Sequence, residues 1–404
     1  MRRPFLIVAL VILAVAFAAG FWLSKRNTTT HEVPAVAERS HQPEAQSANP
    51  EPHAAVPVNP EPKTPSPEPK PAKPQASPET RALVAALTQF KGPITPDSAG
   101  AWKSNLTQLV QQGRAAVPAI REFLEQNKDI PYDFNQGGNL LGAHSLRLAF
   151  LQALEAIGGP EAMQLAVDTL QTTTEPREIA QIARHLEAQA QGQYREAVVN
   201  AARESMAMAA SGKLGRTDPG PLFNVVAQYG GPEAVADLQK VTSPFRYYSA
   251  LALAEVPDGG GIAALSQMLR QPSGPPRATH NAALEALAQL APNYPDARDL
   301  ILKQAVAGQI PETLWPSIAE SLAGAKFYIS NMSEEGLTPQ SGDKTYHLDQ
   351  GPQNFFSRPN SVEFTPEQKQ QISQFIDQLL QTQVPALGIE SLQKSKEKLT
   401  PQQN

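Results

Sequence analysis

The sequence predicts an all-α fold: an α-solenoid of stacked helical hairpins, preceded by one transmembrane helix and a disordered proline-rich linker. Three observations predict it. Beyond Pro78 the chain is Ala- and Leu-rich with apolar residues at helical spacing, and strand patterns are nearly absent. Within that region an Arg-led helical motif recurs at intervals near 30 residues. Ahead of it lie a long uncharged run and a stretch dense in proline.

The uncharged run is Phe5 to Leu23, 19 residues. At 1.5 Å per residue it spans about 28 Å, the thickness of a bilayer core. Trp22 stands at one edge, where interfacial aromatics sit. Arg2 and Arg3 precede the run, and Lys25 and Arg26 follow it. Residues 1–26 therefore read as a retained signal anchor. The alternative is a signal peptide cleaved at Ala16-Phe17-Ala18, an A-x-A site. Either reading puts the remaining chain outside the cytoplasm, at an inner membrane facing a bacterial-type periplasm, or secreted after cleavage.

Residues 27–78 carry proline at every second or third position in places, with Glu-Pro and Lys-Pro pairs alternating. Such a composition cannot bury enough apolar surface to offset ordering entropy. Proline fixes φ and favours extended polyproline II. The expectation is a spacer that holds a domain away from the bilayer, with a coil span of about 40 Å. An anchor followed by this alternation resembles the energy-transducing TonB-type proteins of bacterial envelopes. The likeness covers only the arrangement, because the region that follows is helical.

Residues 79–325 are predicted to be the solenoid. Three helices align: Leu146 to Ile157, Phe245 to Val256 and Pro276 to Leu287. In each, an Arg (147, 246, 277) is followed by Ala at +6, Leu at +7 and an aliphatic residue at +10. These offsets make one helix face. The small Ala admits a neighbouring helix and the larger residues fill the gap. Each copy leads through a Gly- or Pro-rich turn into a second helix, as at Gly158-Gly159-Pro160-Glu161-Ala162. Glycine stops the first helix and proline starts the second. Gly230-Gly231-Pro232-Glu233-Ala234 repeats that turn, and Pro176-Arg177-Glu178-Ile179-Ala180 reads as a weaker copy of the Arg start. Arg147 and Arg246 lie 99 residues apart, three units of 33, and Arg246 and Arg277 lie 31 apart.

From about Ser145 to Ala325 these residues resemble the HEAT-repeat family, in particular the short HEAT-like repeats first named in bilin lyases. Arg147, Arg246 and Arg277 match that family's Arg near the start of the first helix. The Ala-Leu pairs at 153–154, 252–253 and 283–284 match its packing pair. Gly113 to Ile120 resembles a typical second helix. The Asp that usually precedes the Arg is missing from all three copies, and Gly192 to Leu214 is longer and irregular. Tetratricopeptide repeats have a similar period, but their Trp-Leu-Gly and Tyr signature is absent. The resemblance implies a curved binding surface for a protein or peptide.

The insertion Asp129 to Gly142 breaks the helical pattern, and solenoid insertions often lie on the binding face. Its aromatics Tyr132 and Phe134 are candidate partner-binding residues. Residues 326–364 are expected to be an irregular insertion or a small hairpin, the hairpin pairing Phe327 to Ile329 with Thr345 to Leu348, which have strand composition. Phe355 and Phe356, two adjacent aromatics in polar surroundings, are further partner-binding candidates, with plugging of the solenoid's end as the competing role. Residues 365–390 read as an amphipathic helix that caps the last repeat, with docking of a partner as the second role. Thr365-Pro366-Glu367-Gln368 makes its start, and Ile372, Phe375, Ile376, Leu379 and Leu380 make its apolar stripe. Residues 391–404 are polar and expected to be a disordered tail.

The 404-residue chain has no Cys, which excludes disulfides, thiolate catalysis and zinc ribbons. His144, His185, His280 and His347 are isolated in sequence, and His31, His41 and His53 are widely spaced in the linker, so no metal or cofactor is expected. The His-Glu pairs of iron-binding HEAT-like hydroxylases are missing from the helices. From Arg81 onward 26 basic face 32 acidic residues, which argues against nucleic acid. The expected function is a membrane-tethered scaffold or adaptor rather than an enzyme. The alternative is an enzyme whose site is assembled from residues scattered over several repeats.

Overall fold

The computed structural model describes residues 75–90, 93–133, 136–215, 217–270, 278–329, 341–348 and 353–400. The anchor Phe5 to Leu23, the proline-rich spacer up to residue 74, Phe134 and Arg277 lie outside them. Among the described residues no helix is long and apolar enough to cross a membrane.

The fold is predominantly helical. Sixteen α-helices are described: α1 Pro78–Thr88, α2 Pro96–Gln111, α3 Val117–Leu124, α4 Leu146–Ile157, α5 Gly159–Leu170, α6 Pro176–Gln189, α7 Arg195–Ala210, α8 Gly220–Tyr229, α9 Ala234–Lys240, α10 Arg246–Glu255, α11 Ile262–Arg270, α12 Ala278–Leu290, α13 Pro295–Val306, α14 Trp315–Leu322, α15 Pro366–Leu380 and α16 Ala386–Leu399. Three strands stand between α14 and α15: β1 Lys326–Ile329, β2 Lys344–Leu348 and β3 Gln353–Arg358.

Local chemistry sets the helix ends. The Ser145 hydroxyl accepts from the Leu148 N–H at 3.3 Å and caps α4. Gly158, at φ 64°, stops α4 in a conformation that glycine adopts without strain. Thr365 and Gln368 form the expected capping box on α15, with bonds of 3.2 and 2.9 Å. Glu175 caps α6, a role that acidic side chains fill by accepting the free N–H groups of the first turn.

Packing follows chain order. Each even-numbered helix from α2 to α16 lies against the next even one, and most consecutive helices also touch. The repeated Ala-Leu pairs sit inside this row. Ala153, Leu154, Ala252, Leu253, Ala283 and Leu284 are all at or below 2% exposure. A Leu buried to that degree contributes about 1.5–3 kcal/mol relative to exposure. All the Arg-led copies, including the weak one at Pro176, fall on even helices.

Three expectations are corrected. Strands β1 and β2 do not pair with each other. Each pairs antiparallel with β3, in the order β1-β3-β2, with Tyr328 opposite Phe356 and Thr345 opposite Phe356. The missing strand carries Phe355 and Phe356, whose polar neighbours masked its pattern. Gly192 to Leu214 contains a regular helix, α7, which buries Val198, Val199, Ala202 and Met206. The tail is ordered as α16 through Leu399. Leu392 and Leu399, seven residues apart, face inward, and Gly388 lies so close to Trp315 that a Cβ there would sit 2.7 Å from the indole Cγ.

Candidate functional site

The starts of α4, α6, α8 and α10 are tied together by buried polar groups. Arg147, on the first turn of α4, crosses to the first turn of α6. Its Nε and Nη2 donate to the two Glu178 oxygens at 2.6 and 3.0 Å, and its Nη1 donates to the Leu124 carbonyl at 2.9 Å. The two side chains are 6% and 3% exposed. The Arg147 backbone N–H donates to Asp129 at 3.0 Å. Glu175 accepts from the N–H groups of Arg177 and Glu178 at 2.6 and 3.0 Å, and burial pushes its carboxyl up to about 7. Ahead of α8, Asp218 accepts from the Gly220 N–H at 2.9 Å and from the Tyr248 hydroxyl of α10. Burial raises the Asp218 carboxyl, and burial with the adjacent Asp218 charge raises the Tyr248 phenol. Burial, with the Arg177 charge behind it, holds the His144 imidazole down at about 4. Arg147 with Glu178 joins α4 to α6, and Asp218 with Tyr248 joins the start of α8 to α10, while Glu175 caps α6 itself.

A second polar region lies where the sheet meets the row. Strand β1 rests on α8 and α10. A Cβ on Gly220 of α8 would sit 2.4 Å from Ile329 Cγ2, so that glycine sets how closely the strand approaches. The Phe327 N–H donates to Gln289 Oε1 of α12 at 3.0 Å. Lys326 pairs with Glu255 of α10 at 2.8 Å, and Lys344 of β2 with Glu320 of α14 at 2.5 Å. On α12, Asn281, Glu285 and Gln289 recur every four residues and share one stripe. The Ser317 hydroxyl of α14 donates to Glu285 at 3.0 Å, and burial pushes the Glu285 carboxyl up to about 7. Asn281 Oδ1, Gln289 Nε2 and Ser321 Oγ are buried with no hydrogen-bond partner among the described residues. Nearer the N-terminus the same row carries a shorter chain of polar contacts. Gln181 of α6 donates to Glu155 of α4 at 2.5 Å and accepts from Arg184 at 2.5 Å.

Of the candidate aromatics, the two whose side chains are described, Tyr132 and Phe356, are buried. Tyr132 is 7% exposed and packs edge-on against Trp102 at 5.7 Å. The insertion holding it folds back on the start of α4 through the Tyr132 N–H to the His144 carbonyl at 2.8 Å. Phe356 is 1% exposed and stacks on Tyr328 at 5.4 Å. Phe134 and the side chain of Phe355 fall outside the described residues, as does the side chain of His347. His185 is 1% exposed, and burial lowers its pKa. His280 bonds Gln304 at 3.1 Å. Among the described residues no three His, Asp or Glu side chains gather as metal ligands. On the odd-helix side a groove of about 650 Å³ runs between α3 and α5, lined by Val117, Pro118, Arg121, Pro160 and Gln164.

The sequence signal for the α12 stripe was its four-residue spacing of Asn, Glu and Gln inside an otherwise apolar helix. Its contact with β1, through Gln289, depends on a strand from later in the chain, which no local pattern announces.

No known protein-family model matches the chain. No curated protein matches it either.

Proposed function

We propose that the helical region is an α-solenoid of the HEAT-like type that acts as a scaffold or adaptor. Its partner is a protein or peptide segment laid along the even-helix row. The segment Phe5 to Leu23 tethers it to a membrane, and residues 27–78 set the reach of the tether. The tether concentrates the domain near membrane partners without any added contact. The soluble domain faces a bacterial-type periplasm.

One observation carries this reading: eight even-numbered helices lie each against the next. Side chains from several successive helices then share one face, the arrangement that lets repeat proteins bind extended chains. The polar groups of α4, α6, α12 and α14 supply directed hydrogen bonding along it.

The test places a photo-crosslinking residue in the full-length protein, in membranes, at Glu155, Arg184 or Ser317 of the even row. Gln164 of α5 and Gln267 of α11 serve as controls. The expected result is one recurring partner band from the even positions, absent from the controls. Adducts confined to the odd helices, or identical from both sets, would overturn the proposal.

A further inference from the structure

Three successive even helices each carry a carboxylate in this region: Glu255 on α10, Glu285 on α12 and Glu320 on α14. The outer two hold lysines that the chain itself supplies, Lys326 at 2.8 Å and Lys344 at 2.5 Å. Both lysines stand on strands. The middle carboxylate has only the Ser317 hydroxyl, at 3.0 Å, among the described residues. Gln289, one turn beyond Glu285, grips the backbone N–H of β1 at 3.0 Å, so this face already accommodates an extended chain. A second, independent observation points to a ligand. Asn281 Oδ1, one turn before Glu285, is a buried acceptor with no donor. Ser321, one turn beyond Ser317 and 2% exposed, has an equally unengaged hydroxyl. Buried polar groups are nearly always paired, so such atoms mark a place where something donates.

We propose that the α12 position of this series takes a lysine side chain of the bound partner, its ammonium set between the Glu285 carboxylate and Asn281 Oδ1. The proposal rests on the partner-binding reading of the row and deepens it by naming the side chain recognised. Lysine suits the site better than arginine. Its ammonium is a compact centre with three divergent donors, which matches two oxygens on one helix and a hydroxyl opposite. Arginine's flat fork suits a single bidentate carboxylate, as Arg147 shows on Glu178. Burial supports the same reading, because it holds the Glu285 carboxyl near 7, where an arriving cation readily draws off its proton.

The test uses the full chain and two labelled, blocked pentapeptides, Thr-Val-Lys-Val-Thr and the same sequence with norleucine for lysine, read by fluorescence anisotropy. The lysine peptide is expected to bind about tenfold tighter than the norleucine peptide. Glu285→Gln, nearly isosteric, is expected to erase that preference, and Asn281→Ala to reduce it. Glu312→Gln, on the exposed turn before α14, is expected to leave it intact. Equal binding of the two peptides, a preference that survives Glu285→Gln, or no binding of the lysine peptide at about 1 mM overturns the proposal. Equal peptide binding with even-row crosslinks retained leaves the scaffold reading standing and removes only the lysine. Loss of both the peptide signal and the crosslinks removes both.

Discussion

Replacing Arg147 with methionine leaves the Glu178 carboxylate buried with its counter-ion gone. With charge centres about 4 Å apart and an effective dielectric near 20, the lost attraction is about 4 kcal/mol. The Leu124 carbonyl also loses its donor. Breaking one side of a buried pair costs about 3–5 kcal/mol in general, which brackets that figure. Urea unfolding of the full chain, followed by circular dichroism at neutral pH, measures it. The double variant Arg147→Met with Glu178→Leu removes both charges and is expected to recover all but about 1 kcal/mol. A single variant that loses under about 1 kcal/mol, or a double variant worse than the single, refutes the reasoning that this pair clamps α4 to α6.

Three further outcomes are expected. Gly220→Ala puts a Cβ where Ile329 and Tyr248 already stand, at 2.4 and 2.9 Å. It should lift β1 from α8 at a cost of about 1–3 kcal/mol, seen as faster amide exchange at Phe327 to Ile329; unchanged exchange there would contradict the docking. The Glu285 carboxyl titrates near 7 in the folded chain against 4.5 as its ordinary value. The folded state therefore binds the extra proton, so this group's stabilisation is complete below about 4.5 and is lost as the pH rises through 7. Glu285→Gln should flatten the fall in unfolding free energy across that window by about 3 kcal/mol. A slope identical to wild type would exclude it. Truncation after Gln383 removes α16 from Trp315, and a red shift of tryptophan emission with a lowered Tm should follow; an unchanged spectrum would mean that α16 does not cover the indole.

The buried Ala-Leu pairs were legible because close packing of helices demands small and large residues at fixed offsets, and Ala153-Leu154, Ala252-Leu253 and Ala283-Leu284 show those offsets directly. The start of α15 was legible for the same kind of reason, since a capping box is a local bargain among four residues. The sheet was only half legible. Phe327 to Ile329 read as a strand, but its partner was chosen by where the chain returns, and Gln353-Asn354-Phe355-Phe356 carries no alternating pattern. Tyr132 and Phe356 drew attention as isolated aromatics, yet long-range packing on Trp102 and Tyr328 takes them inside. Helix α16 was hidden by its own solvent side, where Gln393, Lys394 and Glu397 outweigh two inward leucines. The α12 stripe was written in the sequence, but its contacts, Ser317 on Glu285 and the Phe327 N–H on Gln289, arrive later in the chain.

The cover on Trp315 comes from α16, which is made after every other helix described. While the ribosome is still extending the chain, that indole and the pocket around it stay wet, and they close only once Leu392 and Leu399 have emerged. A chain that stops before α16 thus leaves a greasy patch bare on helices that are otherwise packed.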